Sequence, residues 1–182
     1  DFDDAFSDAR EFMCSDDLTE FIERHHLGRA AGTQGGMNNG HCNPRVVFGT
    51  ATAKDHIYNT PRAWYMYRQL NPVEAADSTP ESDDIPWCLE PEQAVTVEDV
   101  DFLLGSHFEG TPYDPYGTQG TEESRHRYRP IGINRTGHMV AMQIRPYAPA
   151  ESRSIMWVSY GSGAFTTSAP FYANVDDTPA YL

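Results

Sequence analysis

His138-Met139-Val140-Ala141-Met142-Gln143-Ile144-Arg145 puts a sheet into the fold class. Met139, Ala141, Gln143 and Arg145 alternate with Val140, Met142 and Ile144, the period of two that a strand imposes on its side chains. Ile155 to Tyr160, rich in β-branched and aromatic residues, reads as another strand. Ile131 to Asn134 is expected to pair with His138 to Arg145 as a hairpin across Arg135-Thr136-Gly137. Val46-Val47-Phe48 is a short buried strand candidate, and the tail from Phe165 to Leu182 reads as irregular.

Helical signals lie on the N-terminal side of these strands. Ser15 to Leu27 opens with a capping Ser15 and the acids Asp16 and Asp17. It repeats apolar or aromatic groups at Leu18, Phe21, Ile22 and His25, and meets a stop at Gly28. A second helix starts at Thr60-Pro61, with Thr60 as a usable cap, carries Ala63, Trp64, Tyr67 and Leu70, and ends at Asn71-Pro72. A third starts at Thr96-Val97-Glu98-Asp99, a capping box with Asp in place of Glu. Val100, Leu103, Leu104 and His107 follow on one face. Between the elements, Ala30 to Pro44 reads as a long Gly- and Asn-rich loop, 74–84 as an acidic solvated excursion loop, and 110–130 as a Pro/Gly/Tyr-rich loop. Helices early and antiparallel strands mostly in the C-terminal half argue an α+β fold.

The 182 residues hold 27 acidic and 13 basic side chains, a formal charge of -14 that argues against a phosphate-backbone partner. No run approaches the roughly 20 apolar residues of a membrane span. Hydrophobic residues at 39% and aromatics at 12% are too many for a disordered acidic tail. The length suits one domain or a piece of a larger one. Cys14, Cys42 and Cys88 form neither a disulfide framework nor a CxxC pair, which points to reduced thiols in a cytoplasm. Asp1-Phe2-Asp3-Asp4 shows no signal-peptide pattern and no initiator Met, so the chain is expected to begin inside a longer gene product.

Several constellations have plain readings. His25-His26 and His41-Cys42 are adjacent pairs whose side chains do not face one site, so a metal centre is not favoured. Gly161-Ser162-Gly163 is not the GxSxG nucleophile elbow. Arg125-His126-Arg127-Tyr128-Arg129 offers bidentate forks for a carboxylate or phosphate, but ion pairing to Glu122 and Glu123 is the favoured reading. Asp114 beside Pro115 reads as turn chemistry. Two groups stand out. Asn59, Thr60 and Arg62 surround a helix N-terminus, where free amides and the dipole favour an anion and Arg62 can aim a fork at a carboxylate or oxyanion. Asn134 and Arg135 sit at the expected hairpin tip. Spacing decides neither against an ordinary capped helix or turn.

A longer series of motifs carries a family resemblance. It runs Val47-Phe48-Gly49-Thr50, Tyr58-Asn59-Thr60-Pro61-Arg62-Ala63-Trp64-Tyr65, Val97-Glu98-Asp99-Val100 and Gly110-Thr111-Pro112-Tyr113-Asp114-Pro115. It continues through Tyr128-Arg129-Pro130-Ile131, Asn134-Arg135-Thr136, Gln143-Ile144-Arg145-Pro146 and Pro149-Ala150-Glu151, to Pro170-Phe171-Tyr172 and Asp176-Asp177-Thr178-Pro179. In this order the motifs resemble the bacterial dipeptidases of the N-terminal-nucleophile cysteine hydrolases, relatives of the secernins, from about residue 15 to the end.

The resemblance implies a four-layer αββα fold and hydrolysis of dipeptides by a cysteine at the mature N-terminus. That cysteine attacks the carbonyl with its own α-amino group as base, and nearby donors hold the oxyanion. It implies no metal or organic cofactor. This chain departs from the pattern: residue 1 is Asp, and none of its three cysteines stands at the N-terminus. Residues 1–182 therefore resemble a single central segment of such an enzyme, expected to be inactive alone. By the same resemblance Arg62 is the first candidate for an oxyanion or substrate contact. Asn59 and Thr60 are its companions, and Asn134 and Arg135 are a second choice. Trp64, Trp87 and Trp157 are left as core or pocket wall. The expected partner is a dipeptide, with neither nucleic acid nor membrane. A homo-oligomer or association with the missing parts of the enzyme is expected too, because an excerpt leaves apolar faces uncovered. The alternative is a non-catalytic relative that holds a peptide or amino-acid carboxylate at Arg62.

Overall fold

The computed structural model describes residues 15–27, 37–38, 41–42, 48–50, 52–83, 85–86, 88–177 and 180. The chain divides into two compact units, Asp1–Asp55 with Asp83–Leu89, and His56–Ser82 with Glu90–Leu182.

In the first unit, α1 is Leu18–Arg24. It is shorter than the expected Ser15 to Leu27. Asp17 is the N-cap and makes no side-chain cap bond, while Ser15 accepts from Leu18 N only through its backbone carbonyl. The helix ends at His25 and His26, and His26 takes φ 51°, so the stop falls before the expected Gly28, which lies outside the described residues. Ile22 is the buried residue of α1. The expected Ala30–Pro44 loop contains β1 (Met37–Asn38) paired antiparallel with β2 (His41–Cys42). Of the strand expected at Val46-Val47-Phe48, the first two residues lie outside the described set, and Phe48 is helical and half-exposed.

A single turn, α2 (Asp55–Tyr58), leads into the second unit, where α3 is Thr60–Leu70. Pro61 sits in its first turn as expected, but the N-cap is Asn59 and Thr60 is already helical. Pro61, Trp64 and Tyr65 are its buried face. The C-cap Asn71 is buried and donates through Nδ2 to Glu90 O at 2.8 Å. Glu92 accepts from Val73 N and Glu74 N at 3.0 and 2.9 Å, which ties the start of the acidic excursion to the chain beyond it. Within it Ala75 is buried and Ser78 O accepts from Trp64 Nε1 at 3.1 Å.

The capping box at Thr96 and Asp99 forms with both reciprocal bonds, and it starts α4 (Val97–Gly105). A short α5 (Glu122–Arg125), capped by Thr121 and Ser124, interrupts the 110–130 loop. The sheet then follows as β3 (His138–Ile144), β4 (Ser154–Tyr160) and β5 (Ala169–Tyr172), in the order β3-β4-β5 and antiparallel throughout. Mixed helix and antiparallel sheet is the expected α+β class.

Two strand expectations fail here. Ile131–Asn134 is not a strand, and β3 pairs instead with β4, Val140 facing Val158 and Met142 facing Met156. The reason is tertiary. Gly132 N donates to Ser106 O at 2.7 Å, just past the end of α4, and a Cβ at Gly132 would overlap the Gly105 carbonyl. The segment is docked on the helix end and is lost to the sheet. The tail is not wholly irregular, because Ala169–Tyr172 adds an edge strand, the position where a residue such as Pro170 is tolerated.

The two faces of the sheet differ. Met139, Ile155 and Ser159 are buried, and Ser159 joins Ser168, which donates to Asp101 of α4. The opposite face carries Val140, Met142, Ile144, Met156, Val158 and Tyr160; Val158 is buried, while Met142 is 84% and Ile144 74% exposed. Between the helices runs an aromatic core. Phe108 meets Tyr65 edge-on at 5.5 Å, Trp64 meets Tyr113 at 6.1 Å, and Tyr113 meets Tyr128 at 4.9 Å. Trp64 is therefore core; Trp157 is half-buried in β4 and donates to Gln143; Trp87 lies outside the described residues.

Candidate functional site

The segment Arg127-Tyr128-Arg129 is held from both sides of its backbone. Arg129 N donates to Ile57 O at 3.0 Å. Tyr128 is buried and donates to Glu81 Oε1 at 2.6 Å, and Arg127 Nη2 reaches the same oxygen at 2.7 Å. The Tyr128 hydroxyl holds the Glu81 carboxyl below its usual range, with Arg127 adding to the effect, while burial raises the Tyr128 phenol. Glu81, 46 residues away in sequence, is the acid that Arg127 uses, rather than the expected Glu122 or Glu123.

With Tyr128 turned inward, Arg127 and Arg129 line a solvent-open cleft of about 280 Å³ together with Tyr58, Asn134 and Arg135. Arg129 lies over the Tyr58 ring at 5.5 Å. Asn134 and Arg135 are presented by a turn in which Thr136 N donates to Ile133 O at 2.9 Å, and both side chains are exposed. Among the described residues no carboxylate lines this cleft. Among the described residues Arg129 and Arg135 have no acidic partner.

Of the other candidates, Asn59 and Thr60 do not line the cleft. Arg62 stands in the first turn of α3, half-buried, its N–H donating to Asn59 O at 3.1 Å. Its Nε is buried without a hydrogen-bond partner among the described residues. Burial first, and then the charge of Arg129, make its guanidinium a stronger acid than usual. The structure thus groups Asn134 and Arg135 with Arg129, and sets Arg62 within the field of Arg129. Arg129 is the residue that sequence reasoning undervalued. Its signal was the alternation of Arg127 and Arg129 about a buried aromatic, but its setting needed Tyr58 and Glu81 from far along the chain.

A second polar cluster follows α4. His107 Nδ1 lies 2.7 Å from Asp114 Oδ1 and His107 Nε2 lies 3.1 Å from Glu109 Oε1. Ser106 Oγ donates to Glu109 Oε2 at 2.5 Å, and Tyr65 Oη donates to Glu109 O at 3.1 Å. Burial raises the Tyr65 phenol to about 12. The residue types suggest a Ser–His–Asp nucleophile system, but the wiring does not support one. Ser106 is fully buried and bonds to Glu109, and both ring nitrogens of His107 face carboxylates. Asp114 also accepts from Tyr116 N at 2.9 Å, in keeping with turn chemistry. The cluster fastens the 106–116 turns to the helix end. Among the described residues no group of three His, Cys, Asp or Glu side chains is arranged to hold a metal, and no helix is long and apolar enough to cross a membrane.

The family model of peptidase family C69 matches residues 1–182. The chain is 53% identical over 188 residues to a protein named dipeptidase from Bifidobacterium longum (strain NCC 2705), a match covering 100% of this chain and 34% of that protein. It is 43% identical to probable dipeptidase A of Streptococcus pyogenes serotype M18 (strain MGAS8232), over 97% of this chain and 36% of the relative. It is 37% identical to dipeptidase A of Lactobacillus helveticus, over 96% and 35%. The chain spans about a third of the length of these relatives.

Proposed function

Because the chain belongs to peptidase family C69, we propose that the full-length protein hydrolyses dipeptides with a cysteine nucleophile that lies outside these 182 residues. The observation that carries this reading is the 53% identity, across the whole chain, to a bacterial protein named dipeptidase. The cysteine thiolate attacks the scissile carbonyl, with the α-amino group of the same residue taking the thiol proton. Arg62, with Asn59 and Thr60 at the start of α3, serves the oxyanion or the adjoining substrate atoms. Asn134 and Arg135 contact the substrate from the cleft. The buried and unpartnered Nε of Arg62 supports this assignment, since a donor in that state is stabilised by an arriving acceptor.

The test is hydrolysis of a dipeptide panel by the full-length gene product, alongside the 182-residue chain. Release of free amino acids by the former and none by the latter is expected. Dipeptide binding without turnover by the full-length protein favours the non-catalytic relative and removes the enzyme reading.

We also read the sheet as one layer of a four-layer αββα arrangement, supported by the apolar face of Val140, Met142, Ile144 and Met156. A second sheet covering that face makes Met142→Glu costly in the full-length protein. Unfolding in denaturant is expected to show a loss of about 2 kcal/mol or more, because the carboxylate is driven out of water without a partner. A change within about 0.5 kcal/mol, the usual effect at an open surface, removes the second sheet from this face.

A further inference from the structure

We propose that the cleft between Tyr58, Arg127, Arg129, Asn134 and Arg135 is a clamp for the free C-terminal carboxylate of the substrate, with Arg129 as its central group. The proposal rests on the dipeptidase reading for the identity of the ligand. Its geometry stands on the cleft alone.

The three arginines of the cleft are not equivalent. Arg127 already shares Glu81 Oε1 with Tyr128, and that pairing anchors the wall. Arg129 is fixed in a different way. Its backbone is tied to Ile57 O and its guanidinium rests over the Tyr58 ring. A guanidinium held over a ring by cation–π attraction keeps N–H donors for a planar acceptor. Arg135 and Asn134 line the same cleft. A carboxylate entering here meets the Arg129 fork, a second cation and an amide donor, and among the described residues no competing acid lines the cleft.

The charge distribution supports the same ligand. The chain is strongly acidic, yet three of its 12 arginines line this one cleft and Arg62 lies in the field of Arg129. Like charges kept together are destabilising until an anion arrives, so the arrangement favours anion binding over the empty state. It also predicts specificity. A site built around a carboxylate rejects the neutral amide of the same peptide, because its cations are then left facing an uncharged group. The clamp would make the enzyme read peptides from their free C-terminus.

The test uses the full-length protein, and compares a dipeptide with the same dipeptide amidated at its C-terminus. The wild type is expected to favour the free acid in kcat/KM by at least ~10²-fold, and Arg129→Met to reduce that ratio to about 5 or less, chiefly through KM. Arg135→Met, at an exposed position, is the second variant and is expected to lower the ratio by about tenfold. An amide cleaved as well as the acid by the wild type, or an acid-to-amide ratio unmoved in both variants, overturns the clamp. If neither peptide is cleaved, the dipeptidase reading fails, and calorimetric titration with the same two peptides and with inorganic phosphate decides the clamp separately. Acid-selective binding lost in Arg129→Met upholds it. No acid-selective binding, or tighter binding of phosphate, overturns it.

Discussion

Arg62→Ala in the full-length protein is expected to lower kcat/KM for dipeptides by roughly 10²-fold or more, the usual cost of removing one oxyanion donor. What makes the experiment decisive is that the same substitution should not weaken the fold. Arg62 lies in the first turn of α3, which contains no acidic residue. A cation there opposes the helix dipole by about 0.3–1 kcal/mol at low ionic strength. It also faces the charge of Arg129, and its Nε is buried with nothing to donate to among the described residues. Alanine removes all three penalties and is the best helix former, against the loss of some packing by the arginine stem. The melting temperature should therefore hold or rise while activity collapses. Arg62→Lys, which keeps the charge and loses the fork, is expected to recover little of the rate. Near wild-type kcat/KM in Arg62→Ala takes this residue out of the site. Activity and melting temperature falling together would assign it to the fold.

Phe108→Ala is expected to cost about 3–5 kcal/mol, the range for truncating a fully buried aromatic residue and a large part of a typical domain's stability. Phe108 has no exposed surface and packs edge-on to Tyr65. Its backbone is also firmly tied, since Phe108 O accepts from both Thr111 N and Thr111 Oγ1. It does this at φ 72°, a left-handed conformation that L side chains avoid. That strain yields a sharper test. Glycine in place of alanine ordinarily loses up to about 1 kcal/mol through backbone entropy. At Phe108 the left-handed backbone costs alanine about 1–2 kcal/mol and costs glycine almost nothing. Phe108→Gly is therefore expected to unfold at the same denaturant concentration as Phe108→Ala, or a higher one. A clearly less stable glycine variant would show that the left-handed turn is not retained in solution.

The pattern of what could be read early follows the range of each interaction. Thr96 and Asp99 lie three residues apart and cap one another, so the start of α4 was visible as spelling. Pro61 marks the first turn of α3 for an equally local reason. The alternation from Met139 to Arg145 revealed a strand because side-chain direction there depends only on the neighbouring peptide units. Partners are another matter. Ile131–Asn134 had a plausible strand composition, but docking of Gly132 onto the end of α4 removed it, and β4 took its place beside β3. Nothing within that segment records where the end of α4 lies.

The candidate site divides along the same line. Its residue types were legible in Asn59, Thr60, Arg62, Asn134 and Arg135, because helix N-termini and polar turns advertise donors. The α+β class, the start of α4, the proline in the first turn of α3, the family and an arginine-rich set of candidates were all written in the order of residues. Folding was needed to pair Glu81 with Arg127, to set Arg129 over Tyr58 without an acidic partner among the described residues, and to bring Asn134 and Arg135 into the same cleft. The physical reason is separation: caps and periodicity are settled within a few residues. The ion pairing and position of a guanidinium are settled by groups that the fold brings to it from tens of residues away.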